Sequence, residues 1–99
     1  MPAALQLNAH VAPPGGSQGR ISTNPICLGA PTPADPLVLD FSTSVCAEGK
    51  VRVAFQKGEP VPAGWIQNSR GEPTTNPADL YADPPGSILP FGGDQPYKG

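Results

Sequence analysis

The sequence has few charged residues, few cysteines and no long apolar segment, and each shortage excludes a class of protein. Charged residues make up 14% of the 99 residues and the net charge is −2, whereas a nucleic-acid-binding domain needs a basic surface. No apolar run approaches the roughly 18–20 residues of a membrane-spanning helix. Met1–Val11 lacks the basic start and continuous apolar run of a secretory signal. We therefore expect neither nucleic acid nor a membrane as a partner.

The two cysteines, Cys27 and Cys46, are too few for a disulfide-stabilised secreted domain. They also lack the close Cys/His spacing that is typical of a zinc site. We expect both thiols to be reduced and partly buried in a cytoplasmic protein, and we expect no metal site.

Proline and glycine are abundant instead. Together they account for 27 of the 99 residues, against a usual share of about 12%. Leu, Ile, Val and Phe together number only 20, so the chain can bury only a modest apolar core. This composition predicts one small, loop-rich domain or a piece of a larger one. The glycine-rich turn shortly before the last residue favours a piece, because no later element follows that the turn would position.

Short apolar runs predict two strands and one helix. Ile26–Gly29 and Leu37–Phe41 are predicted to be buried strands, and the second is apolar on both faces, as in an interior strand. Thr43–Lys57 fits either a strand or a helix, because its apolar positions match both a period of two and a period of 3.6. We favour a helix that is capped at its start by a hydroxyl of Ser42–Ser44 and closed by Gly58.

Loops are predicted for most of the remaining chain. Met1–His10 reads as a weakly ordered leader, and Val11–Arg20 as a turn segment. The weaker signals are a short strand within Trp65–Asn68, one helical turn at Ala78–Tyr81 and a last apolar stretch at Ile88–Phe91.

The segment Asp40-Phe41-Ser42 stands where the predicted strand gives way to the predicted helix. A helix start offers unpaired N–H groups and a partial positive charge that hold anions and polyhydroxyl ligands. The Asp40 carboxylate at that edge is suited to accept a hydrogen bond from a ribose. Alternatively, Asp40 and the hydroxyls only cap the helix. Gly92-Gly93 has two interpretations as well, the close approach of a ligand or an ordinary turn.

No known catalytic constellation can be assembled from these residues. A P-loop and the strand–GxGxxG–helix unit are both absent from the sequence, and the single histidine, His10, has no evident partner. Residue chemistry alone therefore predicts an α/β piece with an anion- or sugar-binding edge, and no reaction.

A series of short motifs nevertheless stands in a specific order from Val11 to the end of the chain. The motifs are Val11-Ala12-Pro13, Gly15-Gly16, Arg20-Ile21-Ser22-Thr23-Asn24-Pro25, Leu39-Asp40-Phe41-Ser42-Thr43-Ser44, Gly49-Lys50-Val51-Arg52, Lys57-Gly58-Glu59, Gly71 with Pro73-Thr74-Thr75-Asn76-Pro77, and Leu89-Pro90-Phe91-Gly92-Gly93. In this combination the sequence resembles the malate/L-lactate dehydrogenase family. These NAD(P)-dependent oxidoreductases include sulfolactate and ureidoglycolate dehydrogenases and piperideine-2-carboxylate reductases.

The resemblance implies hydride transfer between the nicotinamide of NAD or NADP and a 2-hydroxy or 2-oxo acid, or a cyclic imine. It also implies a cytoplasmic homodimer as the parent protein, with an α/β (α+β) cofactor domain whose sheet is mostly antiparallel. Residues 11–99 would then be part of that NAD(P)-binding domain, truncated at both ends, and inactive in isolation.

The resemblance assigns functional roles to residues of the matching motifs. Cofactor binding falls to Asp40, Phe41, Ser42, Phe91, Gly92 and Gly93, and substrate binding to Thr23, Glu48 and Gly49. No catalytic residue is assigned, because the family's catalytic histidine lies upstream of this segment and Lys50 replaces an acidic residue of the acid–base relay found in some members. The cofactor assignments require the end of Leu37–Phe41 and the turn Pro90–Gly93 to be two walls of one cleft.

Two alternatives stay open from the sequence. One is a non-enzymatic binding or assembly module that retains part of a cofactor fold. The other is a proline-rich, disordered interaction segment.

Overall fold

A computed structural model describes residues 10–92 of the chain. These residues form short strands, one α-helix and one 3-10 helix, with loops between them. The elements are β1 (Ile26–Ala30), β2 (Leu37–Phe41), α1 (Glu48–Lys57), β3 (Ile66–Gln67), β4 (Pro73–Thr74), the 3-10 helix (Pro77–Tyr81) and β5 (Ser87–Ile88). The predicted mixed α/β, loop-rich fold with antiparallel sheets is confirmed. The predicted leader, apart from His10, lies outside the described residues, as does Gly93.

Strands β1 and β2 form an antiparallel hairpin in which Cys27 lies opposite Asp40. The bounds of β2 are those predicted, and β1 is one residue longer. The predicted burial of both strands is wrong, because Leu28, Leu37 and Val38 are each more than 60% exposed. Within residues 10–92, β2 has a strand on one edge only, so the described chain leaves the apolar faces of the hairpin open to solvent.

Helix α1 begins five residues after the predicted start. Its N-cap residue is Ala47, and no side chain caps it. The predicted cap by Ser42–Ser44 is wrong because these hydroxyls are used elsewhere: Ser44 Oγ donates to the Cys46 carbonyl at 2.8 Å, for example. The end of the helix is as predicted, with Gly58 in the left-handed conformation at φ 70°.

The core lies between α1, the 3-10 helix and a three-stranded antiparallel sheet of order β4-β3-β5. Val11 extends this sheet by bridges to Ile21 and to Ile88. Val11 and Ala12 are fully buried although their segment was predicted as a plain turn. The buried core cluster consists of Val11, Cys46, Val51, Val61, Ile66, Leu80 and Ile88.

The two cysteines are free thiols in different environments. Cys46 is buried, as expected, but Cys27 is exposed because it lies on the open hairpin. Over residues 10–92, no three His, Cys, Asp or Glu side chains come together as metal ligands. The same residues include no helix with the length and apolar character to cross a bilayer.

Burial of Cys46 predicts a loss of stability in alkali. Desolvation raises the pKa of this thiol from 9.0 to about 11, so the fold favours the neutral form. Its contribution to the free energy of unfolding is complete below pH 9.0 and is lost as the pH rises to about 11. Urea unfolding across this range should show the loss, and Cys46→Ala should remove it. The exposed-site variant Cys27→Ala serves as the control, and an unchanged profile in Cys46→Ala contradicts this account.

Candidate functional site

The end of β2 and the turn that follows β5 lie side by side. The ring centroids of Phe41 and Phe91 are 5.5 Å apart, with the ring planes tilted by 59°. The Phe91 N–H donates to the Thr43 carbonyl at 2.7 Å, and Ser44 bridges to Pro90. We call residues 41–44 and 89–92 the aromatic corner. Two motifs that are nearly fifty residues apart in sequence therefore meet at one place.

The surface of the aromatic corner combines aromatic and polar groups. Phe91 is 53% exposed and Phe41 is half-buried. Ser42 Oγ lies 3.2 Å from Ser44 Oγ. Gly92 has φ 100°, a backbone conformation that residues other than glycine rarely adopt. Ser44 is buried, so the exposed Phe91 ring and the partly buried Ser42 hydroxyl are the groups that suit a flat heterocycle with polar substituents.

Asp40 is an exposed residue within β2. The helix begins at Glu48 and is capped at Ala47. Both interpretations that place a helix start at Asp40 are therefore wrong, the anion site beside the helix N–H groups and the cap by Asp40. Successive side chains of a strand point to opposite faces, so Asp40 and Phe41 project from opposite sides of β2. A ligand that contacts both has to wrap around the end of the strand.

Thr23 is held against the aromatic corner by hydrogen bonds from Thr43. The Thr43 N–H donates to the Thr23 carbonyl at 2.8 Å. The single hydroxyl hydrogen of Thr43 is shared between the same carbonyl, at 3.0 Å from Oγ1, and that of Asn24, at 2.9 Å. The corner therefore brings Thr23 together with Phe41, Ser42, Phe91 and Gly92.

Glu48 and Gly49 lie in the first turn of α1, and the contacts of Glu48 are structural. Its carboxylate accepts a hydrogen bond from the Tyr81 hydroxyl at 2.6 Å and pairs with Arg52, also at 2.6 Å. The first contact ties α1 to the 3-10 helix, and the second ties the first turn of α1 to its next turn. Partial burial, and then the bond to Glu48, raise the pKa of Tyr81 to about 12. Gly49 is exposed.

Tyr81→Phe tests the structural role of the Glu48 carboxylate. The variant keeps the ring, which packs on Phe55 with centroids 5.1 Å apart, and removes only the hydroxyl. We expect a loss of about 1 kcal/mol in the free energy of unfolding, because a charged acceptor loses its donor. Arg52→Gln should cost much less, since Arg52 is largely exposed. Equal stability of Tyr81→Phe and the unmodified chain in urea contradicts the expectation.

A cleft of about 450 Å³ adjoins the aromatic corner and shares Leu89 and Pro90 with it. The loop Pro13–Ser17 forms another wall. Gln67 holds this loop in place by donating from Nε2 to the Gly16 carbonyl at 2.7 Å. The volume is within the range of small-molecule sites. Sequence reasoning missed this cleft, and the only signal for it was the Pro13–Gly16 turn, which has no P-loop chemistry.

A family model described as malate/L-lactate dehydrogenase matches residues 3–99. The chain belongs to the malate/L-lactate dehydrogenase family. Among relatives, it is 46% identical over 89 residues to an L-lactate dehydrogenase from Cupriavidus necator, a match that covers 88% of this chain and 26% of the relative. It is 47% identical to a malate dehydrogenase from Pyrococcus abyssi over 84% of this chain and 22% of that one.

Solved structures of the family share the fold. The chain superimposes on the sulfolactate dehydrogenase of Methanocaldococcus jannaschii with a TM-score of 0.75 and 36% identity, over 91% of this chain and 25% of that one. This family member thus spans about a quarter of the length of the relatives that it matches.

Proposed function

We propose that the chain is a segment of a longer NAD(P)-dependent oxidoreductase, which transfers hydride between a nicotinamide and a 2-hydroxy or 2-oxo acid. Membership of the malate/L-lactate dehydrogenase family supports the reaction type. Its relatives include lactate, malate and sulfolactate dehydrogenases, and these three acids share a 2-hydroxycarboxylate group. The segment would then contribute part of the NAD(P)-binding domain of a cytoplasmic homodimer.

The exposed hairpin β1–β2 supports the view that this is a segment. Five of its large apolar side chains are at least 40% exposed: Ile26, Leu28, Leu37, Val38 and Leu39. An apolar surface of this kind is costly in water and is typical of an interface. We therefore infer that other residues of the longer polypeptide pack on the apolar surface of the hairpin. In that polypeptide β2 would be an interior strand, as its apolar pattern suggests.

The aromatic corner is the proposed site of the nicotinamide nucleotide. The observation that carries this proposal is the 5.5 Å contact between Phe41 and Phe91, since the two motifs have cofactor roles only if they line one site. Phe41, Ser42, Phe91 and Gly92 would contact the nucleotide, as would Gly93, which lies outside the described residues. Asp40 would accept a ribose hydroxyl on the other face of β2.

The residues of the corner fit such a cofactor by their chemistry. Aromatic faces stack on the flat rings, and hydroxyl and carboxylate groups pair with ribose and amide groups. When bound, the nicotinamide accepts or donates the hydride. Thr23 beside the corner would contact the acid, as would Glu48 and Gly49 at the start of α1.

Two measurements test the proposed function. The first is the sequence of the coding DNA on both sides of this segment, which should continue the family's motifs. The polypeptide that it encodes is called the extended polypeptide below. The second is isothermal titration of this polypeptide with NADH and NADPH, followed by an absorbance assay of nicotinamide reduction with lactate, malate and sulfolactate. The proposal is contradicted if the extended polypeptide binds neither NADH nor NADPH.

A binding or assembly module is the second candidate, and the exposed hairpin is the observation that favours it. In that case the 99-residue chain would be monodisperse, cooperatively folded and indifferent to both nucleotides. Aggregation of the isolated chain that is relieved in the extended polypeptide would instead favour the oxidoreductase segment.

A further inference from the structure

Thr43 joins three of the four segments assigned to substrate and cofactor, all but Glu48-Gly49. Through its hydroxyl and its amide it donates to the carbonyls of the Thr23-Asn24 turn. Through its carbonyl it accepts the Phe91 N–H at 2.7 Å. It also follows Phe41 and Ser42 directly in sequence, so a movement of Thr43 changes all three segments together.

We propose that Thr43 is a positioning residue, whose hydroxyl fixes the Thr23-Asn24 turn at the distance from the nicotinamide that hydride transfer requires. This inference rests on the proposed function, and it adds a residue to which neither the motifs nor the resemblance assign a role. Thr43 acts through Thr23 and not by touching the substrate itself.

The backbone of the Thr23-Asn24 turn shows why it needs such a restraint. Asn24 has φ 42° and is the one non-glycine residue with positive φ among those described. The left-handed conformation is less favourable for residues other than glycine. A local bond from Asn24 N–H to Ser22 Oγ is long, at 3.4 Å, whereas the bond from Thr43 Oγ1 to the Asn24 carbonyl is 2.9 Å. The tertiary contact is thus the firmer restraint on this turn.

Removal of the hydroxyl should therefore free the Asn24 carbonyl and let the turn shift about the one bond that remains, from the Thr43 N–H to the Thr23 carbonyl. The nucleotide site should stay in place. The Thr43→Val side chain has nearly the same shape but cannot donate to the two carbonyls. The Thr43 carbonyl, which holds Phe91, is unchanged by this substitution. Because a misplacement of about 1 Å can lower a rate by about 100-fold, the effect should fall on the acid and on the chemical step.

The test compares Thr43→Val with Thr43→Ser in the extended polypeptide. We expect kcat/KM for the hydroxy acid to fall by about 10- to 100-fold in Thr43→Val, with a higher KM for the acid. The Kd for NADH or NADPH should stay within about threefold of the unmodified value, since Phe41 and Phe91 stay in place. Thr43→Ser keeps the hydroxyl and should restore most of the activity.

Thr32→Val provides the matched control, because the Thr32 hydroxyl makes only local bonds in the hairpin turn. It should leave all constants unchanged. The proposal is overturned if Thr43→Val and Thr43→Ser behave alike. It is also overturned if Thr43→Val lowers kcat only in proportion to the folded fraction, with KM unaltered.

Hydrogen exchange separates a failure of this inference from a failure of the proposed function. If the unmodified extended polypeptide binds no nucleotide, the proposed function fails, and the restraint is judged by exchange alone. The amides at positions 43 and 91 then report on it: faster exchange at position 43 with unchanged exchange at position 91 in Thr43→Val supports the restraint. Unchanged exchange at both positions overturns it.

Discussion

Replacement of Gly86 by alanine is expected to destabilise the fold by about 3 kcal/mol or more. Gly86 is buried, and its N–H donates to the Asp79 carbonyl at 2.8 Å. A Cβ at this position would overlap the Gln67 carbonyl oxygen and would lie 2.9 Å from that of Asp79. Both neighbours are backbone atoms, so the strain is relieved only if β3 and the 3-10 helix move apart. Chemical denaturation gives the free energy of unfolding directly.

Gly49→Ala is the matched control for this prediction. A Cβ at Gly49 would meet nothing within 4 Å, and the change favours the helix by up to about 1 kcal/mol. The two glycine substitutions should therefore change stability in opposite directions. If Gly86→Ala is as stable as the unmodified chain, the close packing of residue 86 against β3 is wrong. In the extended polypeptide, a raised KM for the acid in Gly49→Ala would support its proposed contact with substrate.

Asp40→Ala should weaken nucleotide binding by the extended polypeptide by about 1–3 kcal/mol, if the carboxylate accepts a ribose hydroxyl. The change removes a charged acceptor from an exposed strand position, and β2 should keep its pairing with β1. The loss should therefore appear in the Kd for NADH or NADPH, measured by isothermal titration, and hardly in the melting temperature.

Asp35→Ala is the control for Asp40→Ala, because Asp35 is an exposed carboxylate in the hairpin turn whose known contact is made by its backbone carbonyl. It should bind the nucleotide normally. An unchanged Kd in Asp40→Ala removes this residue from the proposed site. It would do so without affecting the proposal for Phe41 and Phe91, which lie on the other side of β2.

Some of the secondary structure of residues 10–92 could be predicted from local patterns, although β4 lies in a segment that was predicted as loop. The bounds of β2 follow from an uninterrupted apolar run, and the end of α1 follows from Gly58. The start of α1 could not be predicted, because a hydroxyl that caps a helix and one that bonds to a distant carbonyl look alike in sequence. Thr43 belongs to the second kind, and its partners are about twenty residues away.

Burial of the strands was the larger error, and it has a physical explanation. An apolar pattern reports the environment for which a strand is suited, and β2 is suited to the interior of a sheet. The described residues supply it with one neighbour, β1. The prediction for Val11 was wrong in the opposite sense, because a residue predicted to lie in a turn is buried. Its burial depends on bridges to Ile21 and Ile88, and such pairings leave no local signal in the sequence.

The roles of the candidate site residues stay a prediction. The resemblance assigns roles to Phe41 and Phe91, and their contact agrees with a shared site. Which face of β2 each residue occupies was already determined by strand alternation, and that alternation separates Asp40 from Phe41. Glu48 shows the limit of a role transferred from a motif, because its bond to Tyr81 arises only when α1 packs against the 3-10 helix.

The most direct test of the nucleotide site is hydrogen–deuterium exchange of the extended polypeptide, measured by mass spectrometry with and without saturating NADH or NADPH. The account predicts that bound nucleotide slows exchange in the peptide that contains Phe41-Ser42 and in the peptide that contains Phe91-Gly92. Protection of the two peptides should depend on the nucleotide concentration in the same way. Nucleotide binding that protects neither peptide, or only one of them, would contradict a site shared by the two segments.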